Sequence, residues 1–248
     1  ARDRVDPSRL DDLDRYARNR LHRMIARVIR AYEDYDFHVV YQAVHHFCAV
    51  DMSAFYLDIV KDRLYAETPD DPRRRACQTV LHEALVAVTK LISPILPHTA
   101  DEVWKFIPGV EEISVQLTDM PQADESLFDR EFEARWDAFL ALREDVFRAL
   151  EIARKEEKRI GNALEAAVHL YPDAETKALL DRFADLPTLF IVSQVHVHEP
   201  GAEKPADAKD FGRLAVRVTG AEGKKCERCW KVSADTDENA KHPGVCGR

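Results

Sequence analysis

The sequence lacks the short motifs by which many enzymes bind nucleotides or cleave bonds. It contains no Gly-rich phosphate loop, no G-x-G-x-x-G after a strand pattern, no H-E-x-x-H and no G-x-S-x-G. No pair of carboxylates stands out from a chain that is acidic throughout. We therefore expect no catalytic residue in these 248 residues.

Long hydrophobic runs are also absent. No segment is apolar over the length that a membrane-spanning helix needs, and none has the order of charged, apolar and small residues found in a signal peptide. The first residue is Ala1 and not Met, so we expect a piece of a longer protein. Cysteines are few, and Cys48 and Cys77 fall in helical patterns. We interpret both as buried free thiols of a cytoplasmic protein.

Positive charge is in deficit, with a formal net charge of −9, which argues against a protein that coats DNA indiscriminately. Local basic stripes matter more than the sum. One predicted helix carries four arginines at steps of three and four residues, Arg20, Arg23, Arg27 and Arg30. Such a stripe could follow a phosphate backbone, although spacing alone favours a solvated face paired with local acids.

A second basic cluster opens a later helix, where Asp71-Pro72 is a cap followed by Pro at the first helical position. Arg73, Arg74 and Arg75 then occupy the first turn, where cations oppose the helix dipole. We expect an external reason for them, either a phosphate or acids on a neighbouring helix.

Helical periodicity dominates the first part of the chain and predicts a mainly α protein. An apolar face runs from Leu10 to Tyr32 after a capping pair at Ser8 and Asp11. Further helices are expected after Asp36, after Asp51, from Pro72 to about Ile92 and after Thr99. Short connections between them predict an antiparallel helical bundle over residues 1–110.

The period changes in the second half of the chain. We predict a linker and a long helix within residues 111–165, with the helix over about 128–159 and Gly161 after its end. Residues 166–220 predict a small α+β module with strands at 166–171, 189–198 and 214–218. His196 and His198 share one strand face, which we interpret as an ordinary exposed face and not as a metal site.

Residues 221–248 form a cysteine-rich tail, and we expect an incomplete zinc knuckle there. The pattern is C-x2-C-x16-C-x2, built on Cys226, Cys229 and Cys246, and a fourth ligand would fall at position 249, outside this chain. Such spacing is typical of a tetrahedral structural zinc site. His242 is the only nearby substitute, and we favour an empty or water-completed site over its ligation.

An aromatic residue and several cations surround the first cysteine pair. Trp230 follows the second cysteine directly, and the cations are Lys224, Lys225, Arg228 and Lys231. This combination can stack on and neutralise single-stranded nucleic acid. The knuckle alone leaves a second interpretation equally open, in which Trp230 only covers the metal site.

Taken together, these segments resemble the anticodon-binding part of the bacterial isoleucyl-tRNA synthetases, in order and over nearly the whole chain. The resemblance is carried by the segments at 35–40, 47–65, 74–79, 94–104, 161–166 and 221–230. The valyl and leucyl relatives share the helical domain without the terminal knuckle. The resemblance implies a class I synthetase that joins isoleucine to its tRNA using ATP, with the catalytic and editing domains upstream.

For this chain, the resemblance implies a monomeric tRNA-reading fragment without activity of its own. Its partner would be the anticodon stem-loop of the isoleucine tRNA, ATP would bind only in the catalytic domain, and zinc would bind Cys226, Cys229 and Cys246. Trp230 would lie against the anticodon end. Three alternatives stay open: the module of another class I synthetase such as valyl, a nucleic-acid module like those of DNA glycosylases, and a helical scaffold that binds only protein.

Overall fold

The computed structural model of the chain describes residues 4–238, 240 and 242–247. The chain divides into two units, residues 1–130 and residues 131–248. Helices dominate, and a small sheet and a cysteine cluster complete the structure, as the sequence predicts at this level. The finer division of the chain at residues 110, 165 and 220 stays a prediction.

The first unit is helical. Its helices are α1 (Asp12–Glu33), α2 (Phe37–His46), α3 (Asp58–Ala66), α4 (Pro72–Ile92) and α5 (Pro97–Trp104). The Asp11 carboxylate accepts the Asp14 backbone N–H at 2.9 Å and caps α1, whereas Ser8 lies in a preceding 3₁₀ turn. The capping pair at Ser8 was therefore predicted one turn too early. The cap at Asp71 is confirmed, since its side chain accepts the N–H groups of Arg73 and Arg74.

The segment between α2 and α3 does not interrupt the helix. Residues Phe47–Leu57 form a π-helical turn series that joins α2 to α3 in one continuous helical run. Asp51 lies inside this run, so the prediction that it caps a separate helix is wrong. The prediction for α5 is also wrong in detail, because α5 begins at Pro97 and not after Thr99. Proline is pre-shaped for the first helical position, and here it sets the start.

The core of the first unit lies under the predicted apolar face of α1. Leu21 and Val28 are fully buried there, and α1 contacts α2 and α4. A charged network is buried beside them. The Asp14 carboxylate accepts the Tyr56 hydroxyl at 2.6 Å and Arg63 Nη1 at 3.2 Å. Arg63 also donates to Asp11 at 2.6 Å, so the network links α1 to the run from α2 to α3.

The second unit contains the long helix α6 (Arg130–Lys155). Trp136 and Phe139 are fully buried on it, and Phe183 packs against both rings with centroids at 5.0 and 4.2 Å. The helix ends four residues before the predicted end. The chain leaves it through Lys158, whose φ of 54° supplies the left-handed turn that the sequence predicts at Gly161.

A four-stranded sheet follows in the order β2-β1-β4-β3. Its elements are β1 (Ala166–Pro172), α7 (Ala174–Leu180), α8 (Leu186–Leu189), β2 (Gln194–Val197), β3 (Lys209–Asp210) and β4 (Leu214–Gly220). β1 pairs in parallel with β2 and antiparallel with β4. The predicted strand at 189–198 is half correct, because α8 ends at Leu189 and a turn follows it, so the strand begins only at Gln194.

Two further findings concern membrane-spanning helices and the two cysteines of the helical unit. Within residues 4–238, 240 and 242–247, no helix is both long and apolar enough to cross a membrane. Cys77 is buried as expected, but Cys48 is exposed on the π-helical segment, so the prediction of a buried thiol there is wrong. A π-helical turn changes which positions face the core, and a regular 3.6-residue period cannot anticipate that.

Candidate metal centre and nucleic-acid interface

The cysteine-rich tail folds around a minimal hairpin. Strand β5 (Lys224–Lys225) pairs with β6 (Val232–Ser233), and the Cys226 N–H donates to the Lys231 carbonyl at 2.9 Å. Gly223 enters this hairpin with a φ of 120°, and a Cβ at that position would overlap the Ser233 carbonyl. Only glycine therefore allows the two strands to close at this point.

The three cysteine sulfurs converge. Their Sγ atoms all lie within 4.8 Å of one another, and those of Cys229 and Cys246 are 3.8 Å apart. A tetrahedral zinc ion with bonds of about 2.3 Å sets its sulfur ligands about 3.8 Å apart. Cys226 is 1% exposed, and the other two are half-buried. The cluster can therefore hold a metal ion, and its donor set fits zinc.

The backbone around the cluster favours thiolates. Burial alone would raise the pKa of Cys226, but the N–H groups of Cys229, Cys246 and Arg228 donate to its sulfur and lower the pKa to about 7. Such donors stabilise a metal-bound thiolate. His242 is exposed and is not part of the converging group of cysteines.

Trp230 has an unusual backbone conformation. Its φ is 65°, its N–H donates to the Cys226 carbonyl at 2.9 Å, and the residue is 63% exposed. This turn lets the Lys231 N–H donate to the Cys229 sulfur. Knuckle geometry thus imposes a left-handed conformation that costs a bulky residue about 1–2 kcal/mol. A large exposed ring in a position suited to glycine points to a role outside the knuckle.

The cations of the knuckle are not equivalent. Lys224 pairs with Asp237 at 2.7 Å and Lys225 with Glu165 at 3.3 Å. Lys231 donates to the Thr188 hydroxyl at 3.3 Å, and Arg228 is exposed. All four predicted RNA-binding cations therefore have interaction partners within the protein.

The arginine stripe of α1 also divides into two pairs. Arg20 forms an ion pair with Asp51 at 3.1 Å, and the Arg23 guanidinium lies 3.9 Å from the centre of the Phe128 ring. Arg27 and Arg30 are exposed, and neither has an ion pair or side-chain hydrogen bond among the described residues. The four side chains share a helix, but only the last two present uncompensated charge.

The arginines at the start of α4 have acidic neighbours. Arg73 forms an ion pair with the buried carboxylate of Glu67, and Arg75 lies 3.5 Å from Asp70. Arg74 is half-buried. These acids belong to the segment between α3 and α4, and not to a neighbouring helix as expected.

The histidine strand face is more ordered than expected. His169 stacks on His196 with centroids 4.7 Å apart, and its Nδ1 lies 3.4 Å from Nε2 of His198. His198 in turn stacks on Tyr171 at 4.2 Å. Burial, followed by the neighbouring imidazoles and Arg217, lowers the pKa of His169. Among the described residues, these three imidazoles are not a converging metal group.

An aromatic group at the start of α2 was missed as a surface feature. Tyr35, Phe37 and Tyr41 are 79%, 50% and 66% exposed. The available signal was the sequence Tyr35-Asp36-Phe37, in which aromatics follow directly after the arginine-bearing helix.

Comparison with known proteins decides the family of this chain. Residues 14–170 match the model described as the anticodon-binding domain of tRNA ligase. The chain belongs to the anticodon-binding domain family of tRNA ligases. In this anticodon-binding chain, the match covers α1 from its third residue onward and all of α2 to α6, whereas Cys226, Cys229 and Cys246 lie outside it.

The anticodon-binding chain is also similar to several isoleucine–tRNA ligases. It is 52% identical over 246 residues to that of Bacillus cereus strain G9842, which covers 98% of this chain and 26% of the relative. It is 50% identical over 251 residues to that of Brevibacillus brevis, and 49% identical over 253 residues to that of Moorella thermoacetica. Both cover 100% of this chain and 27% of the relative. The chain thus spans about a quarter of the length of these relatives.

Proposed function

We propose that this chain is the tRNA-reading portion of a bacterial isoleucine–tRNA ligase and binds the anticodon stem-loop of the isoleucine tRNA. The observation that carries the proposal is an identity of about one half that extends through the cysteine knuckle, beyond the family match at residues 14–170. Joining isoleucine to tRNA with ATP is assigned to parts of the ligase outside this chain. The chain acts as a monomer in the cytoplasm and is inactive by itself.

The helical unit supplies phosphate contacts in this proposal. Its helices act as an antiparallel bundle that grips the stem-loop, with Arg27 and Arg30 as the cations that neutralise phosphates, because their charge is uncompensated. Arg20 and Arg23 brace the helix through Asp51 and Phe128 and add positive potential. Arg73 and Arg74 contribute only where RNA displaces their present neighbours.

The tail acts as a zinc knuckle in this proposal. Zinc bound to Cys226, Cys229 and Cys246 supplies the folding energy of a segment that has little apolar core of its own. The exposed ring of Trp230 stacks on an unpaired anticodon base, since RNA loops are read by bases placed on aromatic planes. Arg228 lies beside it, and Lys224, Lys225 and Lys231 set the potential around it.

A binding experiment with three nucleic acids tests the proposal. The chain, with zinc sulfate present, is titrated against isoleucine tRNA transcript, the same transcript with an altered anticodon, and duplex DNA. We expect the first to bind most tightly and its affinity to fall with salt, because each neutralised phosphate releases counterions. Equal affinity for all three, or a Kd indifferent to salt, would contradict anticodon reading. Isoleucine-dependent pyrophosphate exchange by the chain alone would contradict its assignment as inactive.

Charge reversal separates the two halves of the arginine stripe. Arg27→Glu with Arg30→Glu should weaken tRNA binding at least tenfold and reduce the salt slope by about two phosphates. The matched control is Arg15→Glu with Arg148→Glu, which makes the same charge change on exposed side chains of α1 and α6. An equal loss in the control would show a general charge effect and would refute the stripe as a contact surface.

A further inference from the structure

The short connection between the sheet and the knuckle is held at each of its middle residues. Residues 220–223, Gly-Ala-Glu-Gly, have the composition of a flexible joint. The Ala221 N–H nevertheless donates to the Glu165 carbonyl at 2.8 Å. The Gln194 side-chain amide bonds to both backbone groups of Glu222, accepting its N–H at 3.0 Å and donating to its carbonyl at 2.7 Å. One side chain thus fixes the connection as a neighbouring strand would.

The adjacent residue fixes the other strand of the knuckle. The Ser193 hydroxyl accepts the Val232 N–H at 2.7 Å and donates to the Leu164 carbonyl at 2.5 Å. Val232 begins β6, two residues after Trp230. The hydroxyl is therefore satisfied on both sides, and it joins the knuckle hairpin to the chain that leads into β1.

Ser193 and Gln194 together are called the seat of the knuckle, and their position in the fold makes the seat rigid. Gln194 is the first residue of β2 and is paired with Ala167 of β1. The seat holds the segment before β5 and the segment at β6, so the hairpin is fixed at two points. Lys225 and Lys231 also contact Glu165 and Thr188 near the same places, but contacts made by the ends of long lysine side chains specify orientation weakly.

We propose that Ser193 and Gln194 are positioning residues for RNA recognition, which hold the knuckle in the one orientation that presents the Trp230 ring to the anticodon loop. This inference rests on the proposed function. A knuckle on a free joint would lose orientational freedom on binding RNA, whereas the seat has already removed that freedom. Among the described residues, neither side chain of the seat forms a hydrogen bond with a metal ligand or with Trp230. Its effect is therefore on RNA affinity and selectivity and not on metal binding.

The test uses the full chain with zinc sulfate and isoleucine tRNA transcript. Ser193→Ala with Gln194→Ala should weaken tRNA binding about 5- to 30-fold and reduce the preference for the correct anticodon. Metal retention in competition with a chelator should stay within about twofold. Ser193→Thr keeps the hydroxyl and should therefore retain most of the tRNA affinity that Ser193→Ala loses. Ser53→Ala with Gln122→Ala, on exposed positions of the helical unit, is the matched control and should change nothing.

A second measurement separates positioning from general loosening. In a Trp230→Gly background the seat substitutions should cause little further loss of affinity, because the ring that they position is already absent. Fully additive losses would overturn the positioning role, and so would unchanged tRNA affinity in the seat variant. Loss of metal in that variant would show that the seat is merely structural. If the unaltered chain shows no preference for the isoleucine tRNA, the proposed function itself fails, and the positioning role fails with it.

Discussion

Replacing Trp230 by glycine or alanine distinguishes a ring that contacts RNA from one that covers the metal site. Both variants remove the ring, but only glycine adopts the observed φ of 65° without strain. The turn has to be kept, since it lets the Lys231 N–H donate to the Cys229 sulfur. Both variants therefore lack the ring, and they differ only in whether the left-handed backbone at residue 230 is strained.

The structure sets the size of each term. The residue is 63% exposed, so about a third of a tryptophan surface is covered, which is worth about 2 kcal/mol at most. The left-handed conformation costs alanine about 1 kcal/mol more than glycine. A base stacked on the ring contributes about 1–3 kcal/mol, which is about 5- to 150-fold in Kd. We expect metal affinity to be about fivefold higher in Trp230→Gly than in Trp230→Ala, and tRNA affinity to be equally reduced in both.

The assay measures zinc retention against a chelator and tRNA affinity by fluorescence anisotropy, for both variants and the unaltered chain at one salt concentration. If tRNA affinity recovers in step with metal affinity when alanine is replaced by glycine, the ring acts only through the knuckle. That outcome would refute our reasoning that the exposed ring contacts RNA. Metal affinities that are equal in the two variants would refute the strain assigned to Trp230.

Three further predictions concern stability and metal content. Burial, followed by the charge of Asp11, raises the pKa of Asp14 from its ordinary value of 3.8 to about 7. The folded chain then binds more protons than the unfolded chain between these values, so the helical unit should lose a few kcal/mol of stability as pH rises from about 4 to 7. Urea unfolding followed over this range should show that slope, and Asp14→Asn should flatten it. Gly223→Ala should open the knuckle hairpin and release zinc to a chelator. The control is Gly201→Ala, where φ is also positive but an added Cβ meets no described atom within 4 Å, so it should lower the stability of the fold by only about 1 kcal/mol. Equal zinc loss in both variants would contradict the steric argument. A cysteine added at position 249 should raise the zinc content toward one ion per chain without changing the melting temperature of the helical unit. If the extended chain binds no zinc in elemental analysis, the assignment of Cys226, Cys229 and Cys246 as ligands is wrong.

Local sequence determined the features that depend on neighbours a few residues apart. The apolar face of α1, the cap at Asp71 and the strand β1 all follow from short-range periodicity and side chain–backbone bonds. The cysteine spacing also indicated the converging group, since Cys226 and Cys229 need only one tight turn to meet. These interactions are encoded within a window of a few residues, so a reader of the sequence can recognise them.

Tertiary structure decided which of these side chains remain available for a partner. Arg20 and Arg27 have the same spacing signal, but Arg20 is neutralised by Asp51, thirty-one residues away, and Arg27 is not. Periodicity cannot reveal such pairing, because it depends on where a π-helical segment directs the distant carboxylate. The orientation of the knuckle was decided in the same way. Ser193 and Gln194 belong to no motif, and they hold the knuckle only because the pairing of β2 with β1 places them beside the chain that follows β4.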